Sequence, residues 1–284
     1  MKITLMLSAL GPIRLSEPTT MEFNKTILYG RNAQGKSTIL RALIFLIVRS
    51  ESYRRFLIPE LERDPLGEMF FRKSDIELCA DDRCVNSSNP GLLDDVKLSR
   101  IIGDNVYIIT RDRKGEVESN VFSIHNTENL KSMLRDPEVV EVLKEFFRWL
   151  EPPIEDYYLE YFREPGSEWL NIVNLAYGYR RALMFLYALE KSDIVTIEGF
   201  ESGLHIDLMK YILQYINTRY KDKLKVILIE THNGLPVVYG LNTGWTVYYV
   251  TRNNIIKLQS YRDLLDRAEL FLKELEVIQF EVPP

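Results

Sequence analysis

The chain has 284 residues, of which 46% are hydrophobic and 27% are charged, a composition typical of a folded globular protein and not of a disordered or fibrous one. Its formal net charge of −5 argues against a protein that coats nucleic acid through bulk electrostatics. No apolar run in the sequence reaches membrane-spanning length, so we expect a cytoplasmic protein without a membrane partner.

A glycine-rich loop between a predicted strand and a predicted helix is the first informative segment. The apolar residues 26–29 predict a buried strand, and residues 39–48 predict a helix. Residues 30–37 read Gly-Arg-Asn-Ala-Gln-Gly-Lys-Ser, the complete G-x-x-x-x-G-K-S pattern of a phosphate-binding loop. In such a loop, backbone N–H groups and the N-terminus of the next helix point at the phosphates. The sequence therefore predicts binding of a nucleoside triphosphate.

Two side chains of this loop have expected roles of their own. Lys36 is expected to reach the β- and γ-phosphates, and Ser37 is expected to offer its hydroxyl to Mg²⁺. The predicted nucleotide-binding residues of this segment are Gly30, Arg31, Asn32, Ala33, Gln34, Gly35, Lys36, Ser37 and Thr38.

The middle of the chain predicts hairpins followed by a helix. The predicted hairpin segments are residues 76–85, 106–110 and 117–124. Asp136-Pro137-Glu138 predicts a helix start, since it combines a capping residue, a proline and an acidic residue.

Two cysteines, Cys79 and Cys84, flank a predicted hairpin turn. A zinc site would need two further ligands, and the histidines lie far away in the sequence. Free thiols are the favoured interpretation, although the spacing also permits a disulfide across the hairpin.

After residue 156 the pattern changes to an alternation of helices with near-continuous apolar strands. This alternation favours a buried parallel sheet. The predicted elements are a hairpin (156–162 and 169–173), helices at 179–189, 206–220 and 263–276, and strands at 194–197, 225–229, 246–250 and 255–258.

Polar residues at the ends of these strands suggest chemistry. Glu198 ends a buried strand, at the sheet edge where the phosphate loop is expected. Glu198 and the nearby Glu201 compete for two tasks, holding Mg²⁺ and orienting the attacking water. His232 follows the next strand and is expected to contact the γ-phosphate. Arg180 and Arg181 lie near the start of a helix, where the dipole disfavours cations, so we expect an anionic partner, either phosphate or a carboxylate.

The order of these motifs resembles the ABC-type ATPases of the SMC, RecF and OLD-like group. The resemblance covers about residues 1–48 and 156–260. Its matching segments are the Walker A loop (30–37), the signature motif (175–180), Walker B (194–198), the D-loop (201–205) and the switch histidine, His232.

The resemblance implies an α/β P-loop fold with a mostly parallel core sheet, an antiparallel β subdomain and a helical lobe. We expect residues 1–284 to form one ABC-type head, with an inserted lobe at 49–155 and a C-terminal helix and tail at 261–284.

The resemblance also implies a shared nucleotide site. In such proteins two heads sandwich two ATP molecules, and each signature motif contacts the nucleotide held by the other subunit. ATP, Mg²⁺ and an ATP-dependent homodimer are therefore expected, and DNA or another protein is a candidate partner. The residues implied by the resemblance are Ala176, Gly178 and Arg180 for the nucleotide, Ser37 and Glu198 for the metal, and Glu198, Glu201 and His232 for catalysis.

Three departures from the family pattern affect hydrolysis more than binding. Ala176 replaces the signature serine, and Gly199 stands where the water-polarising glutamate normally follows the metal-binding acid. No glutamine lies between residues 38 and 175, so the Q-loop glutamine is missing. Three functions remain open. The leading one is a slowly hydrolysing ATPase head, for which the resemblance suggests DNA maintenance or defence, and the second is a nucleotide sensor that recruits a partner with little or no hydrolysis. A transporter ATPase is the third and weaker one, because residues 201–205 look less like a transporter head and no membrane-contact feature stands out.

Overall fold

The computed structural model of the chain describes residues 3–64, 66–93, 96–111, 115–149, 156–158, 161–163, 166, 168–221, 223, 225–260 and 262–265. In chain order the strands are β1 (Ile3–Leu10), β2 (Ile13–Phe23), β3 (Lys25–Tyr29), β4 (Asp75–Ala80), β5 (Arg83–Asn86), β6 (Leu98–Ile102), β7 (Asn105–Arg111), β8 (Val117–Ser123), β9 (Asp156–Tyr158), β10 (Tyr161–Arg163), β11 (Leu170–Asn171), β12 (Ile194–Glu198), β13 (Val226–Thr231), β14 (Thr246–Val250) and β15 (Ile255–Leu258).

The helices are α1 (Lys36–Ile47), α2 (Glu51–Leu57), α3 (Glu60–Arg63), α4 (Gly67–Arg72), α5 (Thr127–Arg135), α6 (Val140–Phe147), α7 (Tyr177–Lys191), α8 (Ile206–Arg219), α9 (Gly234–Asn242) and α10 (Arg262–Leu265), with a short 3₁₀ helix at Ile172–Asn174. None of the helices in these described ranges is long and apolar enough to cross a membrane. Most of the helix predicted at 263–276 lies outside the described residues.

The chain divides into two compact units. The first comprises Met1–Val96, Thr196–Phe200 and Leu224–Pro284, and the second comprises Lys97–Val195 and Glu201–Lys223.

The first unit is built on a buried sheet in which β3 pairs in parallel with both β13 and β14. The strand order is β15-β14-β3-β13-β12, with β15 antiparallel to β14. Every residue of β13 and β12 is buried, as expected for strands covered on both faces. The predicted, mostly parallel sheet is therefore confirmed. Because parallel strands end at one edge, the ends of β3 and β13 share that edge with the phosphate loop. The Phe200 amide, two residues after β12, donates to the Glu230 carbonyl of β13 at 3.0 Å.

Helix α1 follows the phosphate loop and forms part of the core. It begins at Lys36, three residues before the predicted start, and nine of its residues are buried. Because α1 has almost no exposed face, its sequence is apolar along nearly its whole length.

The first unit also contains an antiparallel sheet with strand order β2-β1-β4-β5. Within it Cys79 lies directly opposite Cys84, and the two form a disulfide. The favoured expectation of free thiols was therefore wrong. The cause is the tight β4–β5 turn at Asp81-Asp82, which places the two sulfur atoms on facing positions of adjacent strands.

The second unit combines an antiparallel meander, β6-β7-β8, with the long helices α7 and α8 and a small sheet of order β11-β10-β9. Its helix after Asp136 was predicted three residues too early. The Asp136 carboxylate accepts a hydrogen bond from the Glu138 amide at 3.0 Å, and α6 begins only at Val140. Asp136 thus forms a turn after α5, a helix that the sequence pattern did not predict.

A charge cluster anchors the start of α7 in the second unit. The side chain of Arg181 is fully buried, and its Nη1 lies 3.3 Å from Asp104 Oδ1. The Tyr177 hydroxyl donates to the same carboxylate, and His125 Nε2 lies 2.8 Å from its other oxygen. Burial alone would raise the pKa of Asp104, but the hydrogen bonds from Tyr177 and His125 and the charge of Arg181 hold that pKa below its ordinary value. The anionic partner expected for Arg181 is thus a carboxylate.

We expect Asp104→Ala to lower the free energy of unfolding by about 2 kcal/mol, because it leaves the buried Arg181 guanidinium without its carboxylate. The loss is smaller than for a fully buried pair, since the Asp104 side chain is 30% exposed. Urea unfolding measures it, with Glu118→Ala on the exposed face of β8 as the control.

The same variant has a defined pH dependence. Because the folded state lowers the pKa of Asp104, its contribution is complete above about pH 4, the pKa of an unfolded aspartate, and is lost as the pH falls through the lower folded value. The difference between the original chain and Asp104→Ala should therefore shrink in acid. A difference that stays constant or grows there would contradict this account.

Candidate functional site

The phosphate loop, residues 30–37, has a backbone that only glycine tolerates at two positions. Gly30 and Gly35 have φ values of 151° and 102°. A Cβ atom at Gly30 would lie 2.4 Å from the Val250 carbonyl oxygen, and one at Gly35 would lie 2.7 Å from the Ile13 side chain. The glycines of the pattern therefore permit both the turn and the close approach of neighbouring segments.

The turn between β14 and β15 supports the exposed side of this loop. The Arg252 amide donates to Gln34 Oε1 at 3.0 Å, and Arg252 Nε donates to the Ala33 carbonyl at 3.2 Å. Ala33 has a φ of 57°, an uncommon value for a residue with a side chain. These two contacts hold the middle of the loop in place.

Lys36 is buried although it carries a charge, with only 2% of the residue exposed. Its ammonium group donates to the carbonyls of Gly30 and Arg31, both at 2.9 Å. The loop therefore curls around the lysine that the pattern assigns to the phosphates.

A second carboxylate, Glu230, occupies the position beside Ser37. The Ser37 hydroxyl donates to Glu230 Oε2 at 2.7 Å, and Glu230 Oε1 lies 3.8 Å from Lys36 Nζ. Glu230 was not among the predicted site residues, because the apolar pattern predicted a strand that ends at residue 229, whereas β13 continues to Thr231. The signal was present, since Glu230 ends a buried strand as Glu198 does.

Burial and charge both act on Glu230. Burial is the main cause that raises its pKa, and the charge of Glu198 adds to that effect. The hydrogen bond from Ser37 and the charges of Lys36 and His232 oppose it without cancelling it.

Glu198, the predicted metal and catalytic residue, lies at the end of β12 and contacts an arginine. Its Oε2 is 3.2 Å from Arg41 Nη2, and the same Nη2 is 3.3 Å from Glu60 Oε1. Gly199 follows with a φ of 63°, and the Phe200 amide donates to the Glu230 carbonyl at 3.0 Å. This hydrogen bond ties the segment after Glu198 to the neighbouring strand.

His232 lies at the mouth of the loop. Its Nδ1 is 2.9 Å from the Gly30 carbonyl and 3.1 Å from Lys36 Nζ. A carbonyl only accepts and an ammonium only donates, so the two contacts require opposite protonation of Nδ1 and one applies at a time. His232, which is predicted to contact the γ-phosphate, therefore lies in contact with two residues of the phosphate loop.

Asn32 and Thr38 belong to the first unit with the rest of the loop segment, whereas the signature-motif residues and Glu201 belong to the second unit. Ala176 caps α7, Gly178 and Arg180 lie in its first turn, and Glu201 starts the turn that precedes α8. Arg180 Nη1 donates to the Ile124 carbonyl at 3.4 Å. A groove of about 430 Å³ opens beside the signature motif, and its lining residues are Ala176, Gly178, Tyr179, Gly203, His205, Asp207, Leu208 and Tyr211.

The comparison with known proteins rests on structure alone. No protein-family model and no curated protein matches the sequence. The SMC head domain from Thermotoga maritima matches over 91% of this chain and 99% of its own, at a TM-score of 0.51 and 15% identity. The ADP conformation of an ATP-binding cassette of an ABC transporter matches over 99% of this chain and 100% of its own, at a TM-score of 0.52 and 14% identity.

A third similar structure is an SMC head bound to the C-winged helix domain of ScpA, with 93% of this chain and 98% of that one covered, a TM-score of 0.52 and 11% identity. The chain has the fold of ABC-type and SMC-like ATPase heads. At 11% to 15% identity the likeness is one of fold, and it confirms the fold class expected from the motifs.

The described residues of the first unit fit a magnesium-bound triphosphate. Gly30 and Gly35 allow the positive φ values with which the backbone of the loop turns, and Lys36 supplies a cation beside the Gly30 carbonyl. Ser37, Glu198 and Glu230 supply the hydroxyl and carboxylate oxygens that Mg²⁺ prefers. When bound, the metal would neutralise phosphate charge.

We expect Gly30→Ala to lower the free energy of unfolding by about 2–3 kcal/mol, because the added methyl group meets the Val250 carbonyl oxygen and the φ value is strained. Gly244→Ala is the matched control, since Gly244 also has a positive φ of 80° but nothing lies within 4 Å of its added Cβ. Chemical denaturation compares the two. Equal losses would mean that the close approach at Gly30 carries no energetic weight.

Proposed function

We propose that this protein binds Mg²⁺-ATP in the phosphate loop of its first unit, with slow hydrolysis. The observation that carries the proposal is the arrangement of Lys36, held by two loop carbonyls, beside the Ser37 hydroxyl and two strand-end carboxylates. The fold that it shares with ABC and SMC heads supports the same assignment.

We further propose that ATP brings two copies of the chain together. In this arrangement Ala176, Gly178 and Arg180 of one copy would contact the nucleotide bound by the other. The exposure of Ala176 and the groove beside it support a surface that is open to a nucleotide. Slow turnover follows from the chemistry, because Gly199 carries no side chain to polarise water and Ala176 carries no hydroxyl.

A nucleotide sensor is the second candidate function, and Gly199 and Ala176 favour it. In that role ATP stabilises the dimer, and the dimer recruits DNA or a protein. One similar structure is an SMC head bound to a domain of ScpA, which supports recruitment of a partner by this fold.

Lys36→Ala should abolish ATP binding, because it removes the cation at the base of the cradle and frees two carbonyls that shape the loop. Lys257→Ala, which removes a half-exposed lysine from the same unit, should bind ATP as the original chain does. Isothermal titration with Mg²⁺-ATP measures both, and circular dichroism checks that both fold. Unchanged affinity in Lys36→Ala would overturn the proposed site.

Ala176→Arg should block ATP-dependent dimerisation while ATP still binds the monomer, because a long side chain then projects from the exposed cap of α7. Val121→Arg places the same side chain on β8, where Val121 is 44% exposed, and should dimerise normally. Sedimentation with and without Mg²⁺-ATP reports the dimer.

A phosphate-release assay on the same proteins separates the two functions. Slow release by the original chain that disappears in Ala176→Arg would support the ATPase. A dimer that forms without any release would support the sensor, and no ATP-dependent association at all would contradict both.

A further inference from the structure

Glu230 is a buried carboxylate placed among the groups expected to hold the triphosphate. Only 6% of the residue is exposed. Its Oε2 accepts a hydrogen bond from Ser37 at 2.7 Å, and its Oε1 lies 3.8 Å from Lys36 Nζ and 3.9 Å from His232 Nε2. The sequence assigns Ser37 to the metal, Lys36 to the β- and γ-phosphates, and His232 to the γ-phosphate.

The charge of Glu230 is balanced differently from that of Glu198. Glu198 lies 3.2 Å from Arg41, a cation outside the phosphate loop. The cationic groups beside Glu230 are Lys36 and, when protonated, His232. A bound triphosphate would draw on both of these groups, so Glu230 would be left facing phosphate charge in a buried setting where electrostatic interactions are strong.

A divalent cation resolves this conflict. Mg²⁺ in nucleotide sites is held by one or two carboxylates together with phosphate oxygens, and it retains several waters. The Ser37 hydroxyl donates a hydrogen bond to Glu230 and keeps lone pairs available for a metal. The two side chains therefore present adjoining oxygen ligands beside Lys36.

We propose that Glu230 makes ATP binding depend on Mg²⁺. Together with Ser37 it supplies oxygen ligands to the metal, and without the metal its charge opposes the triphosphate at Lys36. The inference rests on the proposed ATP site. It assigns to Glu230, in β13, a metal-binding role that the motif pattern assigns to Glu198.

The experiment measures ATP affinity by isothermal titration, once with excess Mg²⁺ and once with EDTA, and takes the ratio of the two dissociation constants. The original chain should bind Mg²⁺-ATP much more tightly than metal-free ATP. Glu230→Gln keeps the shape and removes the charge, so it should reduce that ratio about tenfold, from weaker Mg²⁺-ATP binding and tighter binding of metal-free ATP.

Two further variants complete the design. Glu230→Asp keeps the charge and should retain a metal-dependent ratio, which guards against a trivial folding defect in the glutamine variant. Glu22→Gln removes a half-exposed carboxylate of the same unit and should leave the ratio unchanged.

The outcomes separate the two proposals. If the original chain binds no ATP with Mg²⁺, the proposed function fails. If it binds ATP but the ratio is the same in Glu230→Gln, or already near one in the original chain, only the role of Glu230 fails. A Glu230→Gln variant that loses phosphate release with an unaltered ratio would make Glu230 a water-activating residue and would also overturn the metal role.

Discussion

A buried ammonium group is the constraint on which the phosphate loop depends. Lys36 is the first residue of α1, where the helix dipole disfavours a cation, and only 2% of it is exposed. An unpaired buried charge is very costly, so the carbonyls of Gly30 and Arg31 must face its Nζ atom. That curl of the backbone gives Gly30 and Gly35 their positive φ values and brings the loop against Val250 and Ile13. The buried ammonium group and the curled backbone of the loop therefore depend on each other.

The second unit also contains a buried cation near the start of a helix, and backbone and side-chain oxygens again stabilise it. Arg181 is fully buried near the N-terminus of α7, another place that disfavours a cation. A backbone carbonyl, that of Gly103, and a carboxylate, that of Asp104, receive its Nη1. The two carboxylates, Asp104 and Glu230, differ in the groups that surround them. Asp104 is also paired with Tyr177 and His125, whereas Glu230 faces Lys36, which the sequence assigns to a phosphate ligand.

Much of the site could be predicted because its residues are close in the sequence. Residues 30–37 contain both the loop and the lysine, and the buried strands β3, β12 and β13 were visible as apolar runs. Glu230 was missed because strand ends are poorly defined by hydrophobicity, and Glu-Thr after Val-Ile-Leu-Ile resembles a loop. The pairing of Arg181 with Asp104 spans 77 residues, so it is fixed by tertiary packing and not by a local pattern. The disulfide was not predicted, because a cytoplasmic location was expected and that location favours free thiols. The hairpin spacing nevertheless permitted it.

The ATP binding and the ATP hydrolysis that we propose depend on different residues of this chain. A change at one set of residues can therefore weaken hydrolysis without weakening binding. In the proposed function, binding uses the loop backbone and Lys36, and residues 30–37 keep the complete phosphate-loop pattern. The slow hydrolysis that we propose follows from Gly199, which has no side chain to orient water. Its φ of 63° disfavours a glutamate at this position by roughly 1–2 kcal/mol, because a Cβ atom is crowded in the left-handed region. The carboxylate beside Ser37 comes instead from β13, the strand between β3 and β12. This arrangement of carboxylates supports the proposed binding of a metal and a triphosphate together with the slow cleavage that we propose.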